Sequence, residues 1–267
     1  MQYLNHFLIF FLGASSGSFI NLARFRIPKN QSIIFPNSFC DNCNTALKWH
    51  QKIPIFSQLF LNNNCKNCDF KVPIQYTLIE IFLGFLFIIN LYSTNYFFSP
   101  DRYIDVIIKC IYVSILLLIS LIDIDTLTIP NQLNIFTYLL GFISLIFFNI
   151  YAFQTNVIIY RVLFSILASV SLELFSYIYF FIRKKIPYGS GDSKLISVFV
   201  IWFGIKGMLL ILITSIYLAG IYICLKFFKG TFRNERIPFG PFLCLGAYLF
   251  ILLGPEISSR ILFIGVS

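Results

Sequence analysis

The sequence predicts an all-α polytopic membrane protein with about eight transmembrane helices and a small cytoplasmic zinc-binding loop module. Three observations lead to this fold class. Of the 267 residues, 58% are hydrophobic and only 12% are charged, about half the charged share of an ordinary soluble domain. The apolar residues lie in runs close to the roughly 20 residues that a helix needs to cross a bilayer. A single polar loop holds two Cys-x-x-Cys pairs.

Each apolar run predicts a helix, because backbone polar groups in lipid must be paired within their own segment. The runs cover residues 4–23, 75–93, 104–122, 133–152, 157–182, 193–205, 207–228 and 239–254. The sixth run is short, and the eighth contains Gly240, Pro241 and Gly246. In the first run the basic residues follow the apolar stretch instead of preceding it, which predicts a retained span and not a cleaved signal peptide.

The distribution of positive charge predicts the orientation of these spans. With the N-terminus outside, the inner loops are about 24–74, 123–132, 183–192 and 229–238, and with adjoining helix ends they hold 15 of the 20 Lys and Arg residues. Cytoplasmic loops carry such an excess, so both termini are predicted outside. Topology therefore accounts for the net charge of +9, and no basic surface remains to predict nucleic-acid binding.

The predicted organisation has three parts. Residues 1–23 form a first span, 24–74 a cytoplasmic zinc module with four cysteine ligands, and 75–267 a membrane-embedded core.

Two Cys-x-x-Cys pairs, separated by 21 residues, lie in the module and are Cys40, Cys43, Cys65 and Cys68. Each pair places two sulfurs on a tight turn, and two such turns form a closed tetrahedral site for structural Zn²⁺. Disulfides are disfavoured in the reducing cytoplasm. The other cysteines are expected to be small buried hydrophobic residues, namely Cys110, Cys224 and Cys244.

Five acidic residues are embedded in the predicted spans or at their inner boundary, where an ionisable group is costly and points to function: Glu80, Asp123, Asp125, Glu173 and Asp192. Asp123 ends the third span, and Asp192 opens the sixth after Gly189-Ser190-Gly191. Two carboxylates brought together in a low-dielectric site share one proton. One can then activate water while the other protonates or polarises a peptide carbonyl.

Two other functions fit these acidic residues as well. A proton-coupled transporter could use Asp123, Asp192 and Glu173 as a relay, which predicts carboxylates around a midplane cavity. A non-catalytic membrane scaffold could use the zinc module as an interaction loop.

Five segments, in this order along the chain, carry recognisable motifs. They are residues 17–21 (GSFIN) with 26–28 (RIP), 38–43 (SFCDNC) through 76–80 (YTLIE), 122–123 (ID) with 129–131 (IPN), 189–195 (GSGDSKL), and 237–242 (IPFGPF) with Gly246. Together they resemble the bacterial type IV prepilin peptidases, also called leader peptidase/N-methyltransferases. The fourth segment is similar to the Gly-x-Gly-Asp motif of presenilin-like intramembrane aspartyl proteases.

This resemblance implies an enzyme of the bacterial inner membrane. Family members remove the short basic leader from type IV prepilins or type II secretion pseudopilins at the cytoplasmic face, cutting after a glycine. Many then methylate the new N-terminal residue with S-adenosylmethionine. By motif, Asp123 is the first catalytic aspartate, with Asp125 as the fallback, and Asp192 is the second. The resemblance implies prepilin-like substrates and the bilayer as partners.

The zinc cysteines occur in the longer, bifunctional members, so we expect methylation here too. Lys52 and the asparagines at 62–64 depart from the family pattern in the region linked to methylation, and a peptidase without methyltransferase activity is the alternative. Glu80 matches a family glutamate and either serves methyl transfer, orients the loop or is neutralised by Lys71. Glu173 is expected to form a helix–helix hydrogen bond. Lys194 is expected to reach the membrane interface, with a contact to a substrate carbonyl as the alternative.

Overall fold

The computed structural model describes residues 2–40, 42–43, 45–46, 53–55, 68, 73–93, 101–150, 155–184, 189–230 and 237–261. Seven α-helices lie in these ranges: α1 (Gln2–Arg26), α2 (Ile74–Tyr92), α3 (Arg102–Thr126), α4 (Asn131–Ile150), α5 (Thr155–Arg183), α6 (Ser190–Phe228) and α7 (Gly240–Ile261). Beside these helices, the described residues contain one isolated antiparallel bridge, between Phe39 and Ala46. The predicted all-helical fold is confirmed.

The predicted number of eight spans is not confirmed. Five helices, namely α1, α2, α3, α5 and α6, are long and apolar enough to cross a membrane. The apolar parts of α4 and α7, Asn131–Phe147 and Gly240–Gly254, are shorter. The predicted sixth and seventh spans are not separated by a loop, because both lie in α6. Gly204 alone interrupts α6, with a φ of 73° and a ψ of 179°, a conformation that glycine adopts without steric penalty.

The chain divides into two compact units, and α3 contributes to both. The first unit comprises Met1–Thr94 and Val106–Ser114, and the second comprises Asn95–Asp105 and Ile115–Ser267. In the first unit α1 packs closely along α2. A Cβ atom at Gly13 would lie 2.8 Å from the Cα of Gly84, and one at Gly17 would lie 2.7 Å from the Cα of Glu80. Small residues allow this approach of two helix backbones, as in other membrane proteins.

The second unit is built around the first half of α6. Every residue from Leu195 to Phe203 is buried, and α4, α5 and α7 each contact α6. The Trp202 indole N–H donates to the Thr137 carbonyl of α4 at 3.0 Å. In contrast, α5 is mostly exposed, and only 6% of its most apolar window is buried. An exposed surface of this composition is suited to lipid.

Candidate active site and cysteine cluster

Asp123 lies on the last turn of α3 and is buried, with 5% of its surface exposed. The helix ends at Thr126, and the next residue, Leu127, adopts the left-handed conformation (φ 53°) and donates its N–H to the Asp123 carbonyl at 2.9 Å. Asp125, two residues later, is exposed. The two aspartates of this motif therefore have opposite environments, and the buried one is the residue that the motif designates as catalytic.

The Asp123 carboxylate is held by the beginning of another helix. The backbone N–H of Gly240, the first residue of α7, donates to Asp123 Oδ2 at 2.9 Å. The first N–H groups of a helix have no partner within the helix and carry partial positive charge, so a carboxylate is a favourable acceptor there. A Cβ atom at Gly240 would lie 2.7 Å from the same oxygen. Glycine is therefore the residue that permits this contact.

The segment that begins α6 places Asp192 on the first turn. The Asp192 N–H donates to the Gly189 carbonyl at 3.1 Å. Gly191 lies directly against the segment that follows α3, because a Cβ atom there would be 2.8 Å from the Cβ of Ile129. The Asn134 side chain of α4 donates to the Gly191 carbonyl at 3.2 Å.

These contacts bring the end of α3 and the beginning of α6 together. The two carboxyl groups lie near enough for the charge of Asp123 to act on Asp192. The structure therefore places both predicted catalytic aspartates in one neighbourhood of the second unit. The roles of Gly240 and Asn134 were missed in the sequence analysis. Gly240 was noted only as part of a motif, and its partner lies 117 residues away.

The other ionisable residues singled out from the sequence have different positions. The Lys194 ammonium group donates to the Asn131 side-chain carbonyl at 2.8 Å, and both residues line a groove of about 340 Å³ between α4 and α6. This exposed hydrogen bond joins α6 to α4, and the reach of Lys194 to the membrane interface stays a prediction. Glu173 is half-buried on α5, and within the described part of the chain the expected helix–helix hydrogen bond is not found.

Glu80 lies in the first unit and is buried, with 7% of its surface exposed. Its Oε2 accepts the Ile55 N–H at 2.7 Å, and the Ser18 hydroxyl also hydrogen-bonds to the carboxylate. These contacts connect α1 and α2 to the cysteine-containing loop, in agreement with the loop-orienting role. Lys71, the expected neutralising partner, lies outside the described residues.

Three of the four predicted zinc ligands lie together. The sulfur atoms of Cys40, Cys43 and Cys68 are all within 4.8 Å of one another, and the Cys40 and Cys68 sulfurs are 3.7 Å apart. Four thiolates around Zn²⁺ at about 2.3 Å would be roughly 3.8 Å from each other. The spacing therefore fits a tetrahedral metal site. Cys65, the fourth predicted ligand, lies outside the described residues.

Local contacts around this cluster favour the thiolate form of one of its cysteines. Hydrogen bonds from Thr45, above all from its side chain, lower the pKa of the Cys43 thiol to about 6, which favours the thiolate that metals bind. The Cys40 N–H donates to the Thr45 carbonyl at 2.9 Å. The chain leading to the cluster is also held to α1, because Arg26 at the end of that helix donates to the Ser32 carbonyl at 3.0 Å.

The three remaining cysteines only partly follow the expectation of burial. Cys110 and Cys244 are buried, but Cys224 is exposed. Cys224 lies on the second half of α6, where many neighbouring side chains are also exposed.

Comparison with known families covers both units. Residues 11–94 match the family profile described as Bacterial Peptidase A24 N-terminal domain, and residues 110–224 match the Type IV leader peptidase family. The chain belongs to the type IV leader peptidase family. The second match includes both Asp123 and Asp192, and the first includes the cysteine cluster and Glu80.

Several relatives are similar to this chain over most of its length. Prepilin leader peptidase/N-methyltransferase of Legionella pneumophila is 29% identical over 85% of this chain and 76% of the relative. Proteins with the same description from Bacillus subtilis (strain 168) and Neisseria gonorrhoeae are each 27% identical. The first alignment covers 94% of this chain and 96% of the relative, and the second covers 89% and 87%. No solved structure matches the chain significantly.

Proposed function

We propose that this protein is a membrane aspartyl endopeptidase that removes the basic leader from type IV prepilins or pseudopilins. The observation that carries the proposal is the convergence of Asp123 and Asp192 at the adjoining ends of α3 and α6. Membership of the type IV leader peptidase family and the description of the relatives as prepilin leader peptidases supply the substrate class.

The proposed chemistry uses the two carboxyl groups and one water molecule. One carboxylate takes a proton from water as the water oxygen attacks the scissile carbonyl carbon, and the other carboxyl group donates its proton to the carbonyl oxygen. Collapse of the tetrahedral intermediate breaks the C–N bond, and the leaving nitrogen takes the proton that the first carboxylate had removed from water. The second carboxylate regains its proton from a hydroxyl group of the intermediate, so both groups return to their starting states. The Gly240 N–H fixes the Asp123 carboxylate, which leaves its other oxygen for this reaction.

The proposed location is the bacterial inner membrane, with the active site and the 24–74 module on the cytoplasmic side. The excess of Lys and Arg in the loops assigned to that side supports this orientation. A substrate with a basic leader and an apolar helix could then place its helix in the bilayer and present the bond between them at the membrane face.

The 24–74 module is proposed to hold structural zinc through Cys40, Cys43, Cys65 and Cys68. The grouping of the three described sulfurs supports this ligand set. Bound zinc would cross-link the two cysteine pairs of the loop. The module takes no part in the proteolytic step.

Methylation of the new N-terminus with S-adenosylmethionine is the second proposed activity. The description of the relatives as N-methyltransferases supports it. Glu80 is assigned to this half of the function, since its carboxylate is held between α1 and the loop at Ile55. A peptidase that lacks methyltransferase activity is the alternative, and product analysis distinguishes the two.

The test is cleavage of a purified prepilin by the purified full-length protein in lipid vesicles. Asp123→Asn and Asp192→Asn are each expected to reduce the rate by about 100- to 10,000-fold, because each removes a proton-transferring group. Asp125→Asn is the matched control and is expected to retain activity, since Asp125 is exposed. Full cleavage by the Asp123 or Asp192 variant would exclude that residue from the mechanism. Mass spectrometry of the product reports the methyl group.

A further inference from the structure

Arg161 is a half-buried cation on α5 for which the proteolytic mechanism has no use. Its Nη1 donates to the carbonyl of Trp202 at 3.0 Å and to that of Ile201 at 3.3 Å. In an uninterrupted helix these carbonyls would accept the N–H groups of residues 205 and 206. The break at Gly204 (φ 73°, ψ 179°) disturbs this pattern. Arg161 therefore binds the carboxyl end of a half-helix, where partial negative charge favours a cation.

The half-helix that Arg161 binds is the one that carries Asp192. It comprises residues 190–203, and Asp192 lies about 15 Å from Trp202 at 1.5 Å per residue. Besides Arg161, the Trp202 indole fixes its far end by donating to the Thr137 carbonyl at 3.0 Å. The end near Asp192 is held to α4 by two hydrogen bonds, from the Asn134 side chain to the Gly191 carbonyl and from Lys194 to the Asn131 side chain. Gly191 also lies in close contact with Ile129.

We propose that Arg161 is a positioning residue for the peptidase reaction. By fixing the far end of the half-helix, it sets the axial position and rotation at which Asp192 faces Asp123. This inference rests on the proposed function. The half-helix is one continuous run of α-helix, and the break at Gly204 separates it from the rest of α6, so a displacement at its far end is transmitted to Asp192. A misplacement of about 1 Å in a catalytic group can reduce a rate about 100-fold.

The chemistry of the contact explains why arginine is present. One guanidinium nitrogen, Nη1, carries two N–H groups and contacts both carbonyl oxygens. The planar guanidinium group holds these donors in a fixed direction and keeps its charge, whereas a lysine ammonium group is a compact, strongly hydrated point charge. A Cβ atom placed at Gly204 would lie 3.8 Å from the Nε of Arg161. Among the described residues, and apart from the local backbone, no other non-hydrogen atom would lie within 4 Å of it. The side chain thus lies directly at the break.

The experiment compares Arg161→Gln and Arg161→Lys with the wild-type protein in lipid vesicles. We expect kcat of Arg161→Gln to fall by about 10- to 100-fold with KM within about twofold, and Arg161→Lys to recover part of the loss. Lys206→Gln is the matched control, because Lys206 is an exposed cation just beyond the same break, and its kcat should not change. If Arg161→Gln fails to fold, Trp202→Phe tests the same end of the half-helix and is expected to lower kcat selectively.

A second readout does not depend on activity. Spin labels introduced as noncanonical residues at the exposed positions 128 and 190 report the distance between the end of α3 and the beginning of α6. We expect a broader distance distribution in Arg161→Gln than in the wild type. An unchanged distribution together with unchanged kcat, or a lower melting temperature alone, would overturn the inference. A wild-type protein that does not cleave prepilin would refute the proposed function, while the label distances would still test Arg161.

Discussion

Replacement of Gly240 by alanine tests the geometry of the proposed active site most directly. The added Cβ would lie 2.7 Å from Asp123 Oδ2 and 3.1 Å from Asp123 Cγ, whereas ordinary contacts begin at 3.4 Å. The carboxyl group would therefore have to move by about 0.7 Å, the difference between 3.4 and 2.7 Å. A movement of this size would lengthen the 2.9 Å hydrogen bond from the Gly240 N–H beyond the usual range.

The expected consequence is a loss of activity without a loss of the fold. A hydrogen bond to a charged group contributes about 1.5–3 kcal/mol, and a catalytic group displaced by nearly 1 Å can lower the rate about 100-fold. We therefore expect kcat for prepilin cleavage to fall between about 10- and 100-fold in Gly240→Ala, with substrate binding retained. The assay is a gel-based or mass-spectrometric time course with enzyme in lipid vesicles.

The matched control is Gly220→Ala on α6, because a Cβ atom there meets nothing within 4 Å. Its kcat is expected to remain within about twofold of wild type, since alanine is a better helix former than glycine. Wild-type activity in Gly240→Ala would refute the reasoning, because it would show that catalysis does not require Asp123 in the position described.

Three further predictions concern the first unit. Cys68→Ser should lose bound zinc, as measured by elemental analysis. Cys224→Ser is the control and should keep its zinc, because Cys224 is an exposed residue of α6. Loss of zinc in both variants, or in neither, would contradict the ligand assignment. Hydrogen bonds lower the pKa of the metal-free Cys43 thiol to about 6, so protons compete with zinc for this sulfur below that pH, and the affinity for zinc should fall as the pH is lowered from 6. Glu80→Gln should lower the rate of methyl transfer by about 10-fold, because the hydrogen bond from the Ile55 N–H is weakened, and it should leave prepilin cleavage unchanged. Glu173→Gln, which neutralises another embedded glutamate, is the control and should affect neither activity.

The sequence by itself determined the class of the protein and its family. A long apolar run in lipid can pair its backbone N–H and C=O groups only by forming a helix. Every predicted span accordingly overlaps a helix of the structure. Local motifs also designated Asp123, Asp192 and the cysteine pairs, because these signals depend on residues close together in the chain. The family is shown by the matching profiles, while the catalytic and metal-binding roles stay predictions.

Only the tertiary structure decided which distant groups meet. The N–H that holds Asp123 comes from Gly240, and the carbonyls that Arg161 binds lie about 40 residues further along the chain. Hydropathy cannot detect such pairs, since it averages over neighbouring residues. It placed a boundary at residue 206, two residues beyond Gly204, but it could not show that a single glycine with a positive φ replaces the expected loop there. Long-range contacts arise when helices pack, and packing depends on side-chain shape across elements that local sequence patterns do not relate.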